Sequence, residues 1–318
     1  MSGKIVVICG PTASGKTALS VALAKRLGGE VVSADSMQIY RRMDIGTAKP
    51  TAEEMGVVPH HMLDVADPGE QYSVSRYVQE AGACVDSILA RGNLPIVCGG
   101  TGLYIDGLIR GAGYQPCGED SGLRDELAAE WEKNGPERML AQLCAVDPDS
   151  AARLHIHDKR RILRALEVFR ATGETITAHN LRTQMRPPRF DAVMLGLTAE
   201  PRSLLYDRID RRVDEMLAQG LLREVRALLD EGLLRGTAAQ AIGYKELADY
   251  FRGEATLEEA ADRIRQKSRN YAKRQLTWFR RDERIHWIIR KEDSDLNSIL
   301  QESTEYLRKC GYTGDEKT

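Results

Sequence analysis

The segment Gly10-Pro-Thr-Ala-Ser-Gly-Lys-Thr17 holds the chain's most specific chemistry. Its spacing, G-x-x-x-x-G-K-[ST], is that of a phosphate-binding loop, and its flanks supply the context the pattern requires. Lys4-Ile-Val-Val-Ile-Cys9 reads as a short buried strand, and Ala18–Leu27 as an amphipathic helix. Gly10 and Gly15 let the loop, with Pro11, Thr12, Ala13 and Ser14 between them, curl without a Cβ clash. Its N–H groups then face an anion. The positive end of the following helix strengthens that field. Lys16 reaches the outer phosphate, and the Thr17 hydroxyl is placed to ligate a Mg²⁺ that bridges phosphate oxygens. A di- or triphosphate is the expected ligand.

Two further strand ends bear on what is done with it. Glu30-Val-Val-Ser-Ala34 closes in Asp35-Ser36-Met37-Gln38. Parallel α/β sheets bind ligands at the carboxyl ends of their strands, so with the strands from Ile5 and Val31 near each other Asp35 emerges beside Lys16 and Thr17. A carboxylate there could hold the metal, take a proton from an acceptor nucleophile, or simply cap the next turn. The strand Leu94–Cys98 ends in Gly99-Gly-Thr-Gly-Leu-Tyr104, where Thr101 offers a hydroxyl in place of a metal-binding carboxylate. A phosphate cradle, a lone Asp and a hydroxyl suit group transfer from a phosphate-bearing donor better than they suit a mechanical ATPase.

The elements that carry these groups read as an α/β protein. Its expected fold is a P-loop NTPase-like parallel sheet core flanked by helices, with an inserted small helical domain. The core is assigned to residues 1–115 and 190–310, the insertion to 116–189, and a loose tail to 311–318. Gly111–Gly122 and Met185-Arg-Pro-Pro-Arg189 mark the boundaries. Helical segments fall around Leu123–Lys133, Pro136–Ala145 and Asp158–Thr172. Strand character returns at Asp191–Leu197, followed by helices near Arg202–Gln219, Leu221–Glu231, Tyr244–Phe251 and Leu257–Arg281. A last strand, Ile285–Ile289, and a helix, Asp295–Lys309, close the core.

Apolar content of 42% and charged content of 29% over 318 residues describe a globular chain. No apolar run approaches the ~20 residues that span a membrane, and Lys4–Cys9 is too short for a signal peptide. The six cysteines are scattered without a C-x-x-C pair, as expected of reduced thiols in a cytoplasmic monomer, and they form no zinc site. His60-His61 lacks partners for a metal and is assigned to loop placement.

Further blocks point to one family. GPTASGKT, Ala34–Pro50, Pro59–Asp64, GGTGLY, Arg160–Phe169, Tyr206–Val213, Gln240–Glu246 and Tyr271–Trp278 occur in consistent order across nearly the whole chain. In these blocks the chain resembles the tRNA dimethylallyltransferases, also called tRNA isopentenyltransferases. The resemblance implies that the loop binds the pyrophosphate of dimethylallyl diphosphate, with Mg²⁺, and not ATP. It implies transfer of the five-carbon group to N6 of the adenosine immediately 3′ of the anticodon in tRNA. Asp35 would then be the general base, Thr101 a further contact to the adenosine, and Arg208 and Arg212 a clamp over the pyrophosphate. Lys16 and the metal would stabilise the charge of the leaving group. The insertion would pack against the anticodon stem-loop, with Arg160, Arg161 and Arg164 on the RNA. The Asp35–Gln38 segment (Asp35, Ser36, Met37, Gln38) and Arg124 would surround the target base, which has to be extruded from its stack.

The net charge of −2 looks unfavourable for an RNA partner, but distribution matters more than the sum. Eight basic residues and no acid lie between Arg263 and Arg281, among them Arg269 and Lys273 as phosphate candidates. A second cluster holds Arg153, Lys159, Arg160, Arg161 and Arg164 beside His155 and His157. Ile264, Tyr271 and Trp278 recur every seven residues and are assigned to a buried stripe. Three other functions fit parts of the pattern. They are a small-molecule kinase, an isopentenyltransferase acting on free AMP or ATP, and a non-enzymatic RNA-binding protein with a nucleotide switch. Only the tRNA enzyme uses the loop, the insertion and the basic helix together.

Overall fold

The computed structural model describes residues 3–111, 121–185 and 187–312. Two compact units emerge, Met1–Ile109 with Phe190–Thr318, and Arg110–Arg189. The expected boundary at 115–116 and residues 313–318 of the expected tail lie outside the described residues. Tyr312 is no loose tail: it is buried in the core and its hydroxyl donates to the Ile5 carbonyl at 3.0 Å.

The first unit is built on β1 (Gly3–Cys9), β2 (Gly29–Ser33), β3 (His60–His61), β4 (Leu94–Gly99), β5 (Phe190–Ala199) and β6 (Ile285–Arg290). They form one sheet in the order β3-β2-β4-β1-β5-β6, every pair parallel. The run Ile5–Cys9 in central β1 is wholly buried, which is why it reads as unbroken apolar sequence without alternation. β4 lies between β1 and β2, so the ends of β1 and β2 are near each other without pairing. β3 stands where the sequence suggests a loop. It pairs Val31 with His60 and Val32 with His61, and two residues carry too little pattern to be read as a strand.

Helices α1 (Lys16–Leu27), α2 (Ala52–Met55), α3 (Val74–Ala90) and α4 (Gly102–Arg110) accompany the first four strands. The second unit has α5 (Ser121–Val146), α6 (Pro148–Ala151), α7 (Lys159–Thr172) and α8 (Ile176–Met185). Two expected helices join in α5 across Gly135 (φ 75°), with Pro136 next to it. The core of this unit is Leu127, Met139, Leu143, Ile162 and Leu166. After β5 the chain continues through α9 (Arg202–Gln219), α10 (Leu221–Asp230), α11 (Tyr244–Phe251) and α12 (Leu257–Phe279). α13 (Leu296–Lys309) follows β6. A Thr256–Glu259 capping box starts α12.

One buried charge sits within the sheet. Glu30 of β2 is 4% exposed and accepts bonds from Asn93 (2.7 Å) and from Arg91, with His61 Nε2 at 2.7 Å. Burial opposes its charge, but hydrogen bonds from Asn93, His61 and Arg91 outweigh it and hold the carboxyl at about 2. His61 is thus spent on structure.

Candidate active site

The loop between β1 and α1 depends on two glycines. At Gly10 (φ 140°) an added Cβ would lie 2.3 Å from the Leu197 carbonyl oxygen, and Gly15 (φ 98°) caps α1 in the left-handed region. Ala13 also has positive φ, 62°, a strain that surrounding bonds must hold in place. Arg208 Nε donates to its carbonyl at 2.8 Å, and Lys16 Nζ donates to that of Pro11 at 2.6 Å. The Ser14 hydroxyl is buried without a partner among the described residues.

Positive charge is concentrated here. Burial lowers the Lys16 pKa from its ordinary value, and Arg212 lowers it further. Burial also lowers that of Arg208, with the charges of Arg290, Arg211 and Arg212 adding to it. Groups so placed are stabilised by an anion. A cavity of about 490 Å³ opens beside them, with Lys16, Thr17, Arg208, Arg211 and Arg212 in its lining and Asp44, Glu54 and Glu215 also on its wall.

A second cavity, of about 280 Å³, takes in the end of β2. Asp35, Ser36, Met37 and Gln38 line it, as do Tyr271 and Arg274 of α12. Ile209, Val213, Met216, Ile242 and Ile264 add apolar surface to its lining. Lys16, Thr17, Ala48, Arg212 and Met216 border both cavities. Asp35 Oδ1 accepts from the N–H groups of Met37 (2.9 Å) and Gln38 (3.4 Å), so the carboxylate does cap its turn, and does so while lining the cavity.

Two residues expected on the acceptor base are engaged within the protein. Thr101 Oγ1 accepts from Ser36 N–H (3.1 Å) and donates to Ser36 Oγ (3.3 Å), and its own N–H donates to the Ala34 carbonyl at 3.1 Å. Among the described residues it buttresses the Asp35 turn and is not part of the cavity lining. Gln38 accepts from Ser33 Oγ at 3.1 Å and donates to the carbonyls of Thr47 (3.3 Å) and Ala48 (3.1 Å). Both ends of its amide are therefore occupied.

Residues 38–282 match the family model described as IPP transferase, and residues 3–65 the one described as isopentenyl transferase. The chain belongs to the IPP transferase family. A tRNA dimethylallyltransferase of Geobacillus thermodenitrificans is 49% identical over 96% of this chain and 97% of that protein. The solved structure of the tRNA isopentenylpyrophosphate transferase from Bacillus halodurans has a TM-score of 0.72 and 45% identity, covering 97% of this chain and 96% of that one. A eukaryotic dimethylallyltransferase described as acting on tRNA has a TM-score of 0.81 at 28% identity, over 99% of this chain and 82% of that one. The α/β sheet with its P-loop is thus that of the tRNA prenyltransferases, and the chain is an enzyme of this class.

In this IPP transferase the acid-free basic run of α12 is partly neutralised from neighbouring helices and from Asp262, which bonds Arg265 from the preceding turn. Arg269 bonds Asp210 at 2.6 Å, Arg265 bonds Asp214 at 2.5 Å, and Lys267 bonds buried Glu246 at 2.9 Å. Arg263 lies 3.7 Å from Asp249. The phosphate role expected of Arg269 therefore competes with an ion pair, whereas Lys273, Arg274, Arg280 and Arg281 are exposed. Trp278 departs from the expected buried stripe. It is 41% exposed, lies over Gly102 and donates its Nε1–H to Asp106 at 3.0 Å.

The second unit of the IPP transferase divides its basic cluster in the same way. Arg124 and Arg164 both bond buried Glu167, at 2.8 and 2.9 Å. Arg160 is exposed, and Arg161, with a side chain 73% exposed, lies 3.9 Å from Asp158.

Gln275 was missed by sequence reasoning. It is 5% exposed, accepts from Thr12 N–H at 2.9 Å and donates to the Gly100 carbonyl at 3.0 Å, tying the phosphate loop to the turn after β4. An added Cβ on Gly100 would lie 2.1 Å from its Nε2. The available signal was an amide on the helix face shared by Ala272, Leu276 and Phe279, all buried.

Proposed function

We propose that the chain transfers the dimethylallyl group from dimethylallyl diphosphate to N6 of the adenosine immediately 3′ of the anticodon in tRNA, releasing pyrophosphate. The observation that carries this is the shared border of the two cavities. A diphosphate held by the loop, Lys16, Arg208 and Arg212 would present its allylic carbon at Arg212 and Met216. Beyond them lies apolar surface for the five-carbon group, with Asp35 facing the same space. The acceptor amine is a poor nucleophile, its lone pair delocalised into the purine. Asp35 would take the N6 proton as the bond to carbon forms, which contributes ~10²–10⁴ in rate. The arginines and Lys16 would stabilise the charge that grows on the departing oxygen.

Mg²⁺ fits this arrangement. Among the described residues no group of three His, Cys, Asp or Glu side chains stands ready to hold a metal. Magnesium is typically bound by one or two protein oxygens plus phosphate oxygens and waters. Thr17, at the border of both cavities, would supply the protein oxygen. When bound, the ion neutralises charge on the diphosphate. Arg160, Arg161, Lys273 and Arg274 are the exposed candidates for the RNA backbone.

The test is label transfer from radiolabelled dimethylallyl diphosphate, with Mg²⁺, to unmodified tRNA and in parallel to AMP. Label on the tRNA adenosine alone is expected. Label on AMP alone, or ATP turnover without transfer, would refute the proposal.

A further inference from the structure

Glu224 of α10 lines neither cavity, yet its carboxylate holds the segment that borders both. Its Oε2 accepts from the N–H groups of Asp44 (3.0 Å) and Ile45 (2.8 Å). Its Oε1 accepts from the N–H of Gly46 (3.0 Å) and from the Tyr244 hydroxyl (2.5 Å). Three consecutive backbone N–H groups thus form an anion-binding concavity filled by the protein's own carboxylate. Packing leaves this backbone little freedom, since an added Cβ on Gly46 would lie 2.5 Å from the Tyr244 ring and 2.9 Å from Leu221.

The clamp transmits to the site through a short path. From Gly46 the chain turns through Ala48, held at φ 49° by bonds from Ala48 N–H to the Ile45 carbonyl and from Lys49 N–H to that of Asp44, both 2.9 Å. The carbonyl of Ala48 accepts from Gln38 Nε2 at 3.1 Å and from Arg212 Nη2 at 3.4 Å. Gly46, Thr47 and Ala48 line the Asp35 cavity, and Asp44, Ile45, Ala48 and Lys49 line the one beside the phosphate loop.

We infer that Glu224 is a positioning residue: by clamping residues 44–46 it fixes the Ala48 carbonyl and, through it, the Arg212 guanidinium that meets the diphosphate. This rests on the assignment of the phosphate-loop cavity to the diphosphate. Without the clamp, Arg212 loses its anchor and must be ordered anew each time the ligand binds, which weakens binding. Tyr244 completes the set of donors to Glu224 through its hydroxyl, while its ring packs on Gly46.

Calorimetric titration with inorganic pyrophosphate and Mg²⁺ tests this on wild type, Glu224→Gln, Arg212→Ala and the double variant. Glu224→Gln is expected to weaken pyrophosphate by about tenfold, but by less than about twofold when Arg212 is already alanine, because coupled residues are not additive. In turnover its KM for dimethylallyl diphosphate rises while the Kd for tRNA stays unchanged. Tyr244→Phe keeps all three N–H bonds and binds pyrophosphate within about twofold of wild type. If Glu224→Gln does not fold, Glu224→Asp replaces it and should show a smaller loss with the same dependence on Arg212. Unchanged affinity in the Glu224 variant, or losses that add in the double, overturn the role of Glu224 while leaving the cavity assignment intact. Failure of wild type to bind pyrophosphate removes both.

Discussion

Replacing Gln275 by leucine removes the strut between the two glycine-bearing turns with little change in volume. The variant leaves the Gly100 carbonyl without its 3.0 Å donor and the Thr12 N–H without its 2.9 Å acceptor. The first bond is buried and its loss carries the full penalty, whereas the second is part-buried, so water recovers some of it. At ~1–3 kcal/mol for each buried group left unpaired, the total is about 2–4 kcal/mol. For a unit of this size that lowers the thermal midpoint by roughly 4–16 °C. Thermal unfolding by circular dichroism, at fixed pH and without ligand, measures it. Gln275→Glu is the companion variant. It keeps an acceptor for Thr12 but sets a carboxylate oxygen against the Gly100 carbonyl, so it should be no more stable than the leucine form. A second reading uses pyrophosphate, whose protective shift of the midpoint should shrink because the loop has lost its tie. A Gln275→Leu protein that melts with wild type and is protected equally by pyrophosphate would refute the strut.

Asp35→Asn retains the Oδ1 that accepts from Met37 and Gln38, so the turn survives and only the charge and basicity go. Turnover should fall ~10²–10⁴-fold with tRNA affinity nearly unchanged, measured by single-turnover transfer and filter binding, and wild-type turnover at several pH values would exclude a general base there. Arg160→Glu with Arg161→Glu tests the RNA face without touching the Glu167 pairs of Arg124 and Arg164. The slope of log K against log salt for tRNA should flatten by about 0.7–0.9 for each phosphate that is no longer neutralised, and an unaltered slope would place the RNA elsewhere on the protein. Glu30 predicts a pH effect on stability. Its carboxyl is held at about 2 against an ordinary 4.5, so the stabilisation is complete above 4.5 and is lost as pH falls toward 2. It amounts to about 3 kcal/mol, and Glu30→Gln should remove that part of the acid dependence in urea titrations between pH 5 and pH 2.

Whatever depends on residues close together in the chain can be read from the residues alone. The loop from Gly10 to Thr17 is a backbone geometry set by two glycines and a following helix, and its spacing identifies it once a strand precedes it and a helix follows. Five of the six strands and all four helices between β5 and β6 are legible from short-range periodicity and caps. The two-residue β3 is not, and the helices α2, α3, α4, α6 and α8 go unassigned as well, although Ser73 caps α3. Asp35 could be placed at a strand end for the same local reason.

Which side chains are free to act depends on packing between elements far apart in the chain. Gln275 meets Thr12 across 263 positions and Gly100 across 175, and Glu224 reaches Gly46 across 178. No short-range pattern encodes such meetings. The eight basic residues of α12 and its C-terminal end look alike in sequence, yet acids on α9 and α11 neutralise Arg265, Lys267 and Arg269 and leave Lys273 and Arg274 exposed. Thr101 and Gln38 likewise spend their donors within the protein, while each side-chain oxygen accepts one bond and keeps a lone pair. Residue type says what a group can bond to, and packing decides whether a neighbour in the fold has already taken that capacity.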